Sequence, residues 1–96
     1  MKMLMIICSG SKLEEVRDLM DRHGVQGYSE IPEIRGAGST GKHLGTRAWP
    51  GISCMIFAAV ETEKAEEVIG AVESLCNSCS PDEGVRMMVL PVDRLI

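Results

Sequence analysis

Twice in this chain, an apolar run of strand length leads directly into a segment of helical periodicity, and this repeat restricts the possible folds more than any other feature. The first run is residues 3–8, MLMIIC, bounded by Ser9 and Gly10. Leu13, Val16, Leu19 and Met20 then recur at helical spacing, with Glu14, Arg17, Asp18 and Arg22 on the remaining faces. Ser11 and Glu14 form the S-x-x-E pattern of a capping box, so Ser11 is expected to cap this helix. Gly24, after His23, suits the left-handed position that ends a helix. The second run is residues 52–60, ISCMIFAAV, with Thr62 as the expected cap of the next helix. Ala65, Val68, Ile69, Val72 and Leu75 make that helix's apolar stripe, and Glu63, Lys64, Glu66, Glu67 and Glu73 lie outside it.

Two more strands complete the pattern. Residues 28–34, YSEIPEI, read as a strand that Pro32 makes irregular or confines to an edge, because proline cannot donate to a ladder. Residues 77–84 are turn material, and residues 86–90, RMMVL, form a last strand stopped by Pro91. The order β-α-β-β-α-β, with no linker, predicts a single α+β domain over residues 1–96 of ferredoxin-like type. It is expected to be a four-stranded antiparallel sheet of strand order 4-1-3-2 with both helices on one face. With one Trp, one Tyr and one Phe, the core must be aliphatic and methionine-rich. The helix-free sheet face would remain bare and apolar, so a homo-oligomer is expected to cover it.

Charge and cysteine usage narrow the function classes. A net charge of −4 argues against binding along a nucleic-acid backbone. The apolar start is too short to span a membrane and no small-residue cleavage site follows it, which points to a cytoplasmic protein. Cys8 and Cys54 sit within apolar runs and read as buried small hydrophobes. Cys76 and Cys79 form a lone C-x-x-C, which by itself is a weak redox or metal signal.

The segment 36–51 differs from the rest. Between Ile34 and Val60 there is no Asp or Glu, whereas Arg35, Lys42, Arg47 and His43 all fall there. Five of the ten glycines, Gly36, Gly38, Gly41, Gly45 and Gly51, lie in the same stretch. Exposed backbone N–H groups beside cationic side chains make an anion site, so this loop, with Lys42 and Arg47, is expected to meet a small anionic ligand or a partner. A loop of this length without structure of its own is uncommon in a compact domain unless it has a function. It does not fit a P-loop, since Lys42 is followed by His43 and no helix starts there. Trp49 before Pro50 is expected near the surface, as an anchor for the loop or a contact with a neighbouring subunit. The two histidines, His23 and His43, stand in no nucleophile–base pattern, so an enzyme is not expected.

The segment Gly24-Val25-Gln26-Gly27-Tyr28-Ser29, followed by Arg35-Gly36-Ala37-Gly38, resembles the G-I-Q-G-[MF]-T…K-G-[FY]-G stretch of nitrogen regulatory P-II signalling proteins. The ending Arg86-Met87-Met88-Val89-Leu90-Pro91-Val92 is similar to their G-K-I-F-V-L-P-V. The matched segments keep their order along the whole chain. The resemblance implies a homotrimer with its sheets at the centre, adenine-nucleotide or other small-ligand pockets in the clefts between subunits, and a loop that regulates a protein partner such as a membrane transporter or metabolic enzyme. Gly27 and Ser29 match positions near the adenine, Gly36 and Gly38 the base of the loop, and Arg86 the lysine that meets phosphates. The sequence departs from the family in three places. Its loop is shorter and lacks a tyrosine, so uridylylation there is not expected. Val85 stands where a glycine precedes the basic residue. The family's arginine-rich C-terminal tail is not expected here, so a smaller or different anion, a weakly held adenine nucleotide or a metal is expected as the ligand.

Two other readings compete. The same element order occurs in the CutA-like family, for which metal roles have been proposed. The chain would then be a metal-binding or redox-responsive module, with His43, Cys76 and Cys79 holding a soft or borderline ion or the two cysteines acting as a redox pair. The other is a structural partner protein with no ligand.

Overall fold

The computed structural model describes residues 1–38, 41–43, 53–78 and 84–96. The first apolar run forms β1 (Lys2–Ser9), and the second forms β5 (Ser53–Val60). Between them lie α1 (Leu13–Arg22), β2 (Ser29–Ile34) and two short strands, β3 (Gly36–Gly38) and β4 (Gly41–His43); α2 (Thr62–Ser78) and β6 (Val85–Pro91) follow. The main sheet has the order β2-β5-β1-β6 with every neighbour antiparallel. Counting only its four strands, this is the expected 4-1-3-2.

Alternation along β1 and β5 decides where the core sits. Leu4, Ile6 and Cys8 of β1 and Cys54, Ile56 and Ala58 of β5 are buried on one face. They join Val16, Leu19 and Met20 of α1 and Ala65, Val68 and Val72 of α2 in a single aliphatic cluster, so both helices cover that face. The intervening residues Met3, Met5, Ile7, Met55 and Phe57 are half-buried on the other face. There they align with the exposed β6 residues Met88 and Leu90, through the rows Phe57–Met5–Met88 and Ala59–Met3–Leu90.

Helix ends differ from the expected caps. Ser11 falls within a 3-10 turn, Gly10–Lys12, and α1 begins at Leu13 with Lys12 as a cap that makes no side-chain bond. The Leu13 amide instead donates to the Gly10 carbonyl, and Ser11 Oγ lies 3.1 Å from Ser9 Oγ. Thr62 is the first residue inside α2, not its cap. Ala65 N–H donates to the Glu61 carbonyl at 2.8 Å, which places Glu61 at the cap, and the Met1 amine donates to Thr62 Oγ1. At the other end α2 continues to Ser78, past the expected turn start, with Ser78 Oγ donating back to the Leu75 carbonyl.

Gly24 behaves as the sequence predicts. Its φ is +75°, Val25 N–H donates to Met20 O and Gly24 N–H to Asp21 O, the paired bonds of a Schellman motif. Pro32 lies in the edge strand β2, whose pairing with β5 shifts between Ile31 and Ile34, as a residue without an N–H requires. The loop is not wholly without structure: β3 and β4 pair as an antiparallel hairpin, Gly36 opposite His43 and Ala37 opposite Lys42. Arg47, Trp49 and Cys79 lie outside the described residues. No helix among the described residues is long and apolar enough to cross a membrane.

Candidate functional site

The Schellman turn at Gly24 sends the chain along the start of α2 instead of out into solvent. The backbone of residues 24–27, the last residues of β5, and Glu61, Glu63 and Lys64 enclose a cleft of about 500 Å³. Gly27 borders it with open space around its α-carbon, so a side chain added there would project freely. Lys64 Nζ is 3.0 Å from Glu67 Oε2, and His23 Nδ1 is 3.4 Å from the same oxygen. This cluster pins the end of α1 to α2 behind the cleft. The hydrogen bond from Lys64 holds the Glu67 carboxyl below its ordinary range.

The strand leaving the cleft is held from the side. Ser29, the first residue of β2, lies opposite Phe57. Its neighbour Glu30 receives a two-pronged contact from Arg17 of α1, Nε to Oε1 at 2.6 Å and Nη2 to Oε2 at 2.8 Å. Those bonds lower the carboxyl's affinity for protons and raise that of the guanidinium. Cys54 Sγ donates to the Pro32 carbonyl at 3.1 Å, occupying an acceptor within the irregular part of β2. Cys54 also stands directly opposite Cys8, and both are buried. Burial, and to a lesser degree the neighbouring Cys54, push the Cys8 thiol up to about 11, so it is a protonated core side chain at neutral pH.

The residues expected to act together are divided between two edges. Gly27, Ser29, Gly36 and Gly38 follow the β2 edge, with Lys42 and His43 on β4 of the adjoining hairpin. Arg86 is exposed on β6, opposite Ile7, at the other edge of the sheet. Three strand spacings separate those edges, roughly 14 Å. Cys76 lies on α2 beside β6, its thiol donating to the Val85 carbonyl at 2.9 Å. No group of three or more His, Cys, Asp or Glu among the described residues could hold a metal ion.

Sequence reasoning passed over Glu61, Glu63 and Lys64 as cleft residues, because helical periodicity places them on a solvated face. Their position beside Gly27 is a consequence of the α1 exit turn meeting the β5–α2 junction. The one available signal was Gly24 at a left-handed position, which bends the following residues back.

The chain is thus a small ferredoxin-like domain, an antiparallel four-stranded sheet with a cleft at the exit of α1 and a glycine-rich hairpin following β2. The family described as nitrogen regulatory protein P-II matches residues 1–96, and the chain belongs to that family. CPII, a nitrogen regulatory PII-like protein from Thiomonas intermedia K12 solved with ADP, AMP and bicarbonate, is 31% identical with a TM-score of 0.72, over 97% of this chain and 88% of that one. The same protein with ADP, AMP and acetate aligns at 30% identity and a TM-score of 0.68, again over 97% and 88%. Its apo form aligns at 26% identity and a TM-score of 0.66, over 98% and 92%. No curated protein matches the chain.

Proposed function

We propose that this protein is a P-II-type sensor that binds an adenine nucleotide, ADP or AMP, in clefts between copies of the chain, and that a small oxyanion such as bicarbonate binds with it. The observation that carries the reading is the division of the candidate residues between opposite sheet edges. Gly27 and Ser29 sit at the β2 edge with a cleft of suitable size, but the cation Arg86 is at the β6 edge, so one chain cannot offer both to one ligand. A closed ring of copies, each packing its bare face and placing its β6 edge against the next copy's β2 edge, brings them together. A homotrimer satisfies this and covers Met5, Met55, Phe57 and Met88. Bases and sugars fit the cleft lined by residues 24–27, whereas phosphates need cations such as Arg86, Lys42 and Arg47. The relatives solved with ADP, AMP and bicarbonate support the ligand class. The segment 36–51, acid-free and cationic in sequence, then reports the ligand state to a protein partner of the transporter or metabolic-enzyme class.

A mixing experiment tests the shared site. Gly27→Asp and Arg86→Ala proteins each lose ADP binding by calorimetry. Unfolded together and refolded as mixed assemblies, they regain about one quarter of the sites, because only that fraction of interfaces joins two intact edges. Recovery of none with intact mixed trimers in native mass spectrometry, or full ADP binding by either variant alone, refutes the arrangement.

A further inference from the structure

The ligand site leaves two core thiols without a role. Cys8 of β1 and Cys54 of β5 stand directly opposite one another in the antiparallel ladder, and both are free thiols within the aliphatic cluster. Opposed residues of such a ladder have α-carbons about 4.5–5.5 Å apart, within the span of about 4.4–6.8 Å that a disulfide bridges. Cys8 is 1% exposed and Cys54 4%, so solvent does not reach them in the closed structure. Burial raises the affinity of both thiols for their protons, which keeps them unreactive there.

Cys54 has a second neighbour. Its Sγ donates to the Pro32 carbonyl at 3.1 Å, at the place where β2 is interrupted. β2 pairs with β5 from Ser29 to Ile31 and again at Ile34 opposite Ser53, and Pro32 and Glu33 lie in the irregularity between. Pro32 has no N–H to give to the ladder, so the thiol supplies a tie that the backbone does not. After Ile34 the chain enters β3 at Gly36, the start of the acid-free segment. The thiol therefore holds the edge strand just before that exit. An edge strand with an interrupted ladder opens locally at lower cost than the central strands β1 and β5, and opening at this point uncovers Cys54.

We infer that Cys8 and Cys54 form a redox-sensitive latch on the root of the 36–51 segment, closed by the Cys54–Pro32 contact and released by a Cys8–Cys54 disulfide. The oxidant is a peroxide. The Cys54 sulfur attacks one peroxide oxygen, the O–O bond breaks, and the departing hydroxide takes the thiol proton as water, leaving a sulfenic acid. The Cys8 sulfur then attacks the Cys54 sulfur. An S–S bond forms, the S–OH bond breaks, and that hydroxide takes the Cys8 proton as a second water. The thiol pair gives up two electrons and the peroxide accepts them. Once bonded to Cys8, Cys54 has no S–H to donate, and the Pro32 carbonyl loses that bond. An external thiol reverses the change by exchange. The latch is independent of the nucleotide reading.

The test treats the whole folded protein with hydrogen peroxide, maps disulfides by mass spectrometry of digests, and follows amide exchange. The wild type is expected to gain the Cys8–Cys54 bond, with a loss of about 2 Da at that pair. Exchange of residues 31–38 is expected to quicken about threefold or more, and to return to its starting rate with dithiothreitol. Cys8→Ala, treated in the same way, keeps the Pro32 contact but has no partner thiol, and should show no quickening. This control separates the latch from oxidation of the methionines or of Cys76 and Cys79. Untreated Cys54→Ala should show the quickened exchange, and Cys54→Ser, which keeps a donor, should not. The oxidised wild type carries the test where Cys54→Ala does not fold. Absence of the Cys8–Cys54 bond after treatment would overturn the inference. So would a bond with unchanged exchange at 31–38, equal quickening in treated Cys8→Ala, or unchanged exchange in a folded Cys54→Ala.

Discussion

Gly24 shows how much one residue directs. Its φ of +75° lies in the left-handed region, where a β-carbon collides with the following carbonyl. The space around it is ordinary, since an added β-carbon would meet only Lys64 Nζ, at 3.5 Å. A Gly24→Ala substitution therefore tests backbone strain with little steric disturbance, and is expected to cost about 1–2 kcal/mol in urea unfolding. Gly27→Ala, at a position with open space and no positive φ, should cost much less. Gly24 was legible from its place after a helical pattern. The capping roles of Ser11 and Thr62 were misread, because a cap depends on where the preceding strand releases the chain. Here β1 continues to Ser9 and passes into a 3-10 turn, and Glu61 supplies the first carbonyl of α2.

Among the elements, β2 depends most on a single contact. It is an edge strand, interrupted at Pro32, and bound to α1 by the Arg17–Glu30 fork. The Glu30 carboxyl titrates below the ordinary value of 4.5 in the folded protein because Arg17 hydrogen-bonds its charged form. A depressed folded value contributes stability that is present above the unfolded value and is lost as the pH falls through the folded one. Stability should therefore decline below about pH 4.5 and the decline should be shallower in Glu30→Gln. Amide exchange of residues 29–34 in Arg17→Ala should quicken selectively, with the core strands β1 and β5 unaffected. Both groups are half-buried, and an unchanged acid limb and unchanged exchange would show the fork to be a pair without effect. Sequence pattern placed Pro32 at an edge. It did not indicate the fork, because Arg17 and Glu30 come together only once α1 lies across β2.

For the whole molecule, the bare sheet face is the dominant feature. Met88 is 47% exposed and Leu90 41%, and they continue rows of half-buried Met3, Met5 and Phe57. If copies pack through this face, Met5→Asp buries a carboxylate at the assembly centre and should reduce the native mass to that of the monomer. A monomeric wild type, or an undisturbed oligomer in Met5→Asp, would contradict the proposed ring. The face was legible in advance because alternation in a strand leaves one set of side chains for the helices and the other for something else.

What the sequence determined by itself follows from short-range regularities. Period-two alternation and helical spacing set the element order, the aliphatic core and the apolar open face, because each is imposed on neighbours a few residues apart. The glycine-rich, acid-free segment was equally evident as composition. What only the tertiary structure decided concerns residues distant along the chain: Glu61 and Lys64 beside Gly27, the Arg17–Glu30 fork, and Arg86 across the sheet from Ser29. Those positions depend on which strands become edges and how each helix lies across them, and no local periodicity encodes either.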